Sequence, residues 1–450
     1  MRGTRLIRTL YSFLPGVIKP EVYTHNNFRK VINGVNELNQ DGIKEFQLEQ
    51  LKKIVKYSWE NISGYRQLWQ EKNFSPKDLR TLEDTVKIPI VTKEILRDNI
   101  SYFSSKKRNS IYISTGGSTG IPFGFYVDRR NFYIEKAFIS DVWSKCNDSL
   151  SFYTKSVVLR GIKINGIYEN DPIVGLYLSS YQIGDETIKE YVNLINANNY
   201  PLLQAYPSSL YQLCKKIREH NLKITKSFSC IALGSEPLYD FQRELIELVF
   251  KAPISHWYGH SEMAVLAVQC PSTKQFSVYP QYGYSEVLKK DGSYAKTGET
   301  GEVIATGFWN YATPFIRYAT RDFVEVGNNN LNIVNKDAQV YRKIDGRLQE
   351  FIVGKTSKII SMTSLNMHND IFNEIEQFRF RQECIGIVDF QYVKKNKDEK
   401  IDESKIYNGL KHKLGSEFDL ILNEVEEIKN SPNGKMRFLD QKLNIDSFIK

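Results

Sequence analysis

The chain is poor in the residues that would mark a stapled or metal-clipped fold. Its five cysteines, Cys146, Cys214, Cys230, Cys270 and Cys384, are far apart and odd in number, with no Cys-x-x-Cys pair. That spacing argues against a disulfide framework and a zinc ribbon and for a reducing compartment, the cytoplasm. Long apolar runs are missing too. The opening "MRGTRLIRTLYSFLPGVIKP" sets Arg2, Arg5 and Arg8 among apolar residues, and its runs are too short and interrupted for a signal peptide or a bilayer span. It reads as an N-terminal helix packed on the body or as a basic amphipathic turn on a membrane surface. No later segment is long and apolar enough to span, so a soluble protein is expected. There is no internal repeat, no low-complexity tract and no nucleic-acid module. The net charge of +9 decides little, because lysines and acids interleave, as in "KKNKDEKIDESK" from Lys394, a solvated face.

What is present suits a large packed protein. At 450 residues two or three domains are expected, and 41% apolar with 13% aromatic residues is enough for a core, which excludes general disorder. Residues 26 to 110 read mainly helical, with a capped start at Ser75–Pro76. Beyond them strands and helices alternate: "NFYIEKAFISDVWSK" is a helix, "SVVLRG" a buried strand and "PSSLYQLCKKIREHNL" a helix. "FSCIALGSEPL" is a strand ending in a turn, "YDFQRELIELVF" a helix and "PISHWYGHSE" a strand running into a polar turn. This alternation predicts an α/β body with largely parallel pairing. From Phe276 strands joined by Gly- and Asn-rich turns predict a small antiparallel subdomain. Past a boundary near Arg347 to Gln349 a small α+β unit is expected: helix "HNDIFNEIEQF", long strand "QECIGIVDFQYVKK", helix "ESKIYNGLKHKLGSEF" and strand "NEVEEIK".

Several polar turns interrupt this pattern. "STGGSTGIPF", from Ser114, has the small hydroxylated residues and glycines that pack closely around phosphate oxygens. It fits neither nucleotide pattern. Ile121 stands where a Walker loop needs its lysine, and Thr115 where that loop and the dinucleotide fingerprint need a first glycine. A plain Gly-rich hairpin turn is the other reading. "YGHSEM" misses a serine-hydrolase elbow by its last residue, Met263 for glycine. His256, His260 and Cys270 match no standard metal spacing. Glu262, after a strand end, suits Mg²⁺ held against a phosphate.

The order of the turns says more than any one of them. The loop at Thr115 to Gly120 is followed by "GSEPL" (Gly234 to Leu238) and "YGHSE" (Tyr258 to Glu262). Then come "TGETGEVIATG" (Thr297 to Gly307), "RYATRD" (Arg317 to Asp322), "GRLQEFI" (Gly346 to Ile352) and "NGKMRF" (Asn433 to Phe438). From about residue 75 onward the chain resembles the adenylate-forming enzymes, in the branch of phenylacetate–CoA ligase and the CapK-like proteins of capsular polysaccharide clusters.

The resemblance implies a large N-terminal adenylation domain, residues 1–347, of mixed α/β sheets with a small antiparallel β subdomain. Residues 348–450 would be a small mobile α+β domain turning about Gln349. It implies activation of a small carboxylic acid by ATP and Mg²⁺, then transfer to CoA, a carrier-protein thiol, or an amine or hydroxyl acceptor. Surface-polysaccharide synthesis, with peripheral association with assembly machinery, is the implied setting. By this resemblance Thr115, Gly116, Gly117, Ser118, Thr119 and Gly120 wrap the β- and γ-phosphates, and Gly234, Ser235, Glu236 and Pro237 line the adenine side. Tyr258, Gly259 and His260 border the nucleotide, with Tyr258 near the adenine; Ser261 sits by the α-phosphate and Glu262 holds Mg²⁺. Asp322 accepts from the ribose hydroxyls, Arg347 helps hold ribose and phosphate, and Lys435 supplies a cation to the carboxylate and α-phosphate. Trp143, Tyr206, His256 and Trp257 are placed near an acyl pocket or in ordinary packing. Ile121 replaces a usual lysine, Arg321 a common glycine, and Gln349 the usual Asp or Lys of the hinge. Two other readings stand beside this one: a degenerate nucleotide-binding assembly protein, and an acyl- or sugar-transferase that uses no ATP.

Overall fold

The computed structural model describes residues 20–105, 109–115, 123–162, 164–328, 332–347, 350–357, 359–362, 374–396, 400–429 and 437–448. Helices α1 (Pro20–Asn36), α2 (Gln40–Asn61), α3 (Ser63–Glu71) and α4 (Lys93–Asp98) come first. Helix α2 starts where Asn39 Oδ1 accepts from the Gly42 N–H, a cap on one of the otherwise unpaired first amides. Its buried residues Ile43, Gln50, Leu51, Ile54, Val55 and Ser58 share the face turned to the core. The helix expected from Ser75 is a single 3₁₀ turn, Pro76–Asp78, because Ser75 and Asp78 close on each other as a capping box around it.

A hairpin of β1 (Ser110–Thr115) and β2 (Phe123–Asp128) follows, with Thr115 opposite Phe123. The body then runs α5 (Asn131–Ser144), β3 (Ser156–Arg160), β4 (Tyr168–Asp171), β5 (Gly175–Ser179), α6 (Ile188–Ala197), β6 (Leu202–Ala205), α7 (Pro207–Glu219), β7 (Cys230–Gly234), α8 (Asp240–Phe250) and β8 (Ile254–Gly259). Strands β5, β3, β6, β7 and β8 pair in parallel in that order. Val157, Val158, Leu159, Leu202, Leu203 and all of β7 are buried, the apolar run that a strand covered on both faces requires.

The antiparallel strands β9 (Leu266–Gln269), β10 (Phe276–Val278), β11 (Gly283–Leu288), β12 (Thr300–Gly307), β13 (Tyr318–Val326) and β14 (Val340–Arg347) continue the same sheet. Its order is β11-β12-β13-β14-β10-β9-β8-β7-β6-β3-β5-β4. The antiparallel part is thus one wing of a twelve-stranded sheet, joined to the parallel part through β8.

After the short pair β15 (Phe351–Val353) and β16 (Ile359–Ser361) comes a second sheet. It holds β17 (Ile375–Cys384), β18 (Ile387–Lys394), β19 (Asp419–Glu424) and β20 (Leu439–Gln441), with helix α9 (Glu403–Leu414) on it. Three expectations change here. Ile375–Phe378, expected at the end of a helix, begin strand β17, because Phe378 and Phe380 alternate into the core against Phe390 and Tyr392. The expected single strand across Gln382–Lys395 is a hairpin, turned at Gly386 with φ +72°. The strand expected at "NEVEEIK" lies earlier, at Asp419–Glu424, where Leu420 and Leu422 face this core. The sheet rests on the body: Lys215 Nζ donates to Ile375 O at 2.7 Å, and the Phe438 ring meets Tyr239 edge-on at 5.4 Å. All five cysteines are free. No helix among the described residues is long and apolar enough to cross a membrane.

Candidate active site

The polar turns meet where the parallel half of the sheet gives way to the antiparallel wing, a place where α/β sheets open a crevice beyond their strand ends. Strand β7 ends at Gly234, whose hydrogen a Cβ would replace only at 2.6 Å from Trp257 Cε2. Trp257 packs on bare backbone there, and glycine is what admits it. Ser235 follows with φ +69°. Glu236 Oε2 accepts from the Ser208 N–H at 3.0 Å in the first turn of α7, and its carbonyl oxygen is 3.1 Å from His256 Nε2. Burial pushes the His256 imidazole down to about 4, so it is neutral near pH 7 and Nε2–H donates to that carbonyl. His256 therefore ties the β7 and β8 turns together instead of acting as an acid.

Strand β8 delivers Tyr258 and Gly259, and the turn beyond it His260, Ser261 and Glu262. Tyr258 Oη donates to Asp322 Oδ2 at 2.7 Å across 64 residues of sequence. Tyr318 Oη donates to Glu262 Oε1 at 3.2 Å, and His260 Nδ1 lies 3.4 Å from Glu262 Oε2. Glu262 and Asp322 are both buried, and β13 sets Asp322 opposite Arg347 of β14. Arg321 has φ +63°, the left-handed backbone that a glycine adopts freely and that costs a larger residue about 1–2 kcal/mol. Ser261 is exposed and bonded to no described histidine, which removes the hydrolase elbow. No group of three or more His, Cys, Asp or Glu among the described residues gathers as a metal centre.

His260 carries the clearest sign of an incomplete site. Its side chain is 5% exposed, yet beyond the Glu262 carboxylate 3.4 Å from Nδ1 neither ring nitrogen has a hydrogen-bond partner among the described residues. Buried polar atoms are normally paired, so these nitrogens are open to a ligand's hydrogen bond.

Sequence reading missed Glu135. This acid sits on α5 between Ile134 and Lys136, accepts a hydrogen bond from Tyr282 Oη and lies near His260. Loss of solvation raises its carboxyl to about 7. A folded value above the unfolded one contributes stability that is complete below the unfolded value and is lost as pH rises through about 7. Glu135→Gln is therefore expected to flatten the fall in thermal midpoint between about pH 5 and 8. Parallel curves for the two proteins would refute this. The only signal in the sequence was a carboxylate inside "NFYIEKAFISDVW".

Thr115 ends β1, and Gly116, Gly117, Ser118, Thr119, Gly120 and Ile121 lie outside the described residues, as do Gln349, Lys435 and residues 1–19. The stem of the β1–β2 hairpin is moored beside the wing, with the Tyr126 N–H donating to Thr313 Oγ1 at 3.1 Å and the Asp128 N–H to Asn310 Oδ1 at 3.2 Å.

No family model matches the chain. Protein CapK of Staphylococcus aureus is 26% identical over 433 residues, covering 92% of both chains. Phenylacetate–coenzyme A ligase of Pseudomonas putida is 25% identical over 335 residues, 67% of this chain and 71% of its own length. Among solved structures, 2-hydroxyisobutyryl-CoA ligase in the postadenylation state superposes with TM-score 0.71 at 15% identity, over 90% of this chain and 89% of that one. The chain is a homologue of CapK and of the phenylacetate–coenzyme A ligases, and it has the fold of the adenylate-forming superfamily.

Proposed function

We propose that the protein is an ATP-dependent, AMP-forming ligase that activates a small carboxylic acid and passes the acyl group to CoA or another thiol, amine or hydroxyl acceptor. The observation that carries the reading is that the β8 turn and β13 are tied twice, Tyr258 to Asp322 and Tyr318 to Glu262, so that the residues of two distant motifs lie together. A carboxylate oxygen attacks the α-phosphorus of ATP as the bond to pyrophosphate breaks. The acceptor then adds to the acyl carbon and AMP leaves. Asp322, held by Tyr258, accepts from the ribose hydroxyls, and Arg347 supports ribose and phosphate. Thr115 to Gly120 wrap the β- and γ-phosphates, Ser261 borders the α-phosphate, and Gly234 to Pro237 with Gly259 and His260 border the nucleotide.

Glu262 fits Mg²⁺: it is a buried carboxylate, and this ion is ordinarily held by one or two carboxylates plus substrate phosphates. Bound there, the ion would neutralise charge gathering on the phosphate oxygens. Residues 348–450 act as a mobile unit about Gln349 and carry Lys435 to the reacting groups. Supporting this, β17 to β20 form their own sheet around a core of Phe378, Phe380, Phe390, Ile406 and Leu410. The setting is the cytoplasm and capsular or exopolysaccharide synthesis, by the resemblance to CapK-like proteins.

ATP–pyrophosphate exchange against a panel of aryl, hydroxy and amino acids tests the reading. Lys435→Ala is expected to lower exchange about 100- to 1,000-fold, the usual cost of removing a donor aimed at developing charge. An unimpaired variant removes Lys435 from the reaction. Demonstrated ATP binding without exchange for any acid would replace the ligase by the degenerate nucleotide-binding protein.

A further inference from the structure

Two strands away from the nucleotide motifs, the carboxyl ends of β5, β3 and β6 present polar groups that the proposed adenylation does not use. Arg160 closes β3. The parallel register sets it beside Ser179 of β5, and sets Leu159 beside Ala205 of β6, so Tyr206 follows on its other side. The guanidinium carbon lies 5.8 Å from the centre of the Tyr206 ring. Arg160 Nε is buried without a hydrogen-bond partner, and no carboxylate among the described residues pairs with this side chain. Ser180, just past β5, and Ser209, in the first turn of α7, are 6% and 3% exposed, and both hydroxyls lack partners. The Ser208 amide of that turn already serves Glu236, so the free donors here are side chains.

Arg160 is half-buried with its Nε covered and unpaired, and such a donor, like a buried hydroxyl with nothing to bond, is costly to leave without a partner. Three such groups sit at adjoining strand ends, on the edge of the parallel sheet where ligands bind. A guanidinium and two hydroxyls at adjoining strand ends match an anion with coplanar oxygens, a carboxylate above all. One strand, β6, separates β3 from β7, so the cluster lies about 10 Å from the "GSEPL" turn by strand spacing. One small molecule can span that distance.

We propose that Arg160, with Ser180 and Ser209, binds a second carboxylate on the acid substrate, so that the enzyme selects dicarboxylic over monocarboxylic acids. This rests on the ligase reading for the reacting end of the acid.

The test compares straight-chain diacids with monoacids of equal length, by calorimetric binding and by ATP–pyrophosphate exchange. The wild type is expected to favour its best diacid about 100-fold, and Arg160→Gln to erase most of that ratio, the worth of a charge-assisted hydrogen-bonded pair. Arg160→Lys is expected to restore about tenfold of the ratio, and Ser180→Ala to lower it severalfold. These milder variants keep the test open if Arg160→Gln does not fold. Preference for monoacids, or equal loss of both classes in Arg160→Gln, overturns the proposal. A rise in KM for CoA with acid preference intact overturns it too, assigning the anion to the coenzyme. If the wild type exchanges no acid, calorimetry still decides: diacid binding abolished in Arg160→Gln upholds the subsite while the ligase reading falls, and no diacid binding overturns the subsite.

Discussion

Glu262→Gln is expected to lower ATP–pyrophosphate exchange about 100- to 1,000-fold while the protein stays folded. Glutamine has the shape of glutamate and keeps an oxygen for the Tyr318 hydroxyl, which donates to Oε1 in the wild type. What it loses is the negative charge proposed to hold Mg²⁺. The apparent affinity for Mg²⁺ in the exchange assay is therefore expected to fall with the rate, and raised Mg²⁺ to recover part of it. If the rate drops but the Mg²⁺ dependence does not move, the residue only positions Tyr318 and His260. An unchanged rate removes it from the reaction.

The second large effect concerns stability. Arg317 opens the "RYATRD" motif, yet its side chain is anchored in the core. Nε lies 3.0 Å and Nη2 3.1 Å from the two Glu286 oxygens, and Nη1 donates to Val86 O at 2.9 Å and Ile88 O at 2.8 Å. The Glu286 side chain is 2% exposed. Arg317→Met would leave that carboxylate buried with the Tyr294 hydroxyl as its remaining side-chain bond. Removing one partner of such a pair costs about 3–5 kcal/mol. Urea unfolding is expected to show that loss as a lower midpoint at unchanged slope. Adding Glu286→Leu is expected to recover much of it, since an apolar pair needs no counter-charge. A loss under about 1 kcal/mol would mean water reaches Glu286.

Much of the body was legible in the sequence because its signals are local. Buried parallel strands read as apolar runs, so "VVL" and "CIAL" sit where β3 and β7 run. Helices α5, α7 and α8 followed their three- and four-residue spacing. The last hundred residues were harder. Ile375 and Phe378 keep a helical interval, but Phe378 and Phe380 keep a strand's, and pairing with β18 decided between them. Nor did anything in "EKAFISD" say that Glu135 would be desolvated beside Tyr282 and His260.

Taken by itself, the sequence determined the order of elements in the parallel body, the glycine at Gly234, the turns that carry the polar residues and the likeness to adenylate-forming enzymes, because each is written in neighbouring residues. Tertiary structure alone decided that the antiparallel strands continue the main sheet and that Tyr258 reaches Asp322 and Tyr318 reaches Glu262. It also decided that Arg317 meets a buried carboxylate while Arg160 pairs with none among the described residues. The physical reason is one and the same: strand register and burial come from contacts between distant segments, and these decide which charge is neutralised within the fold.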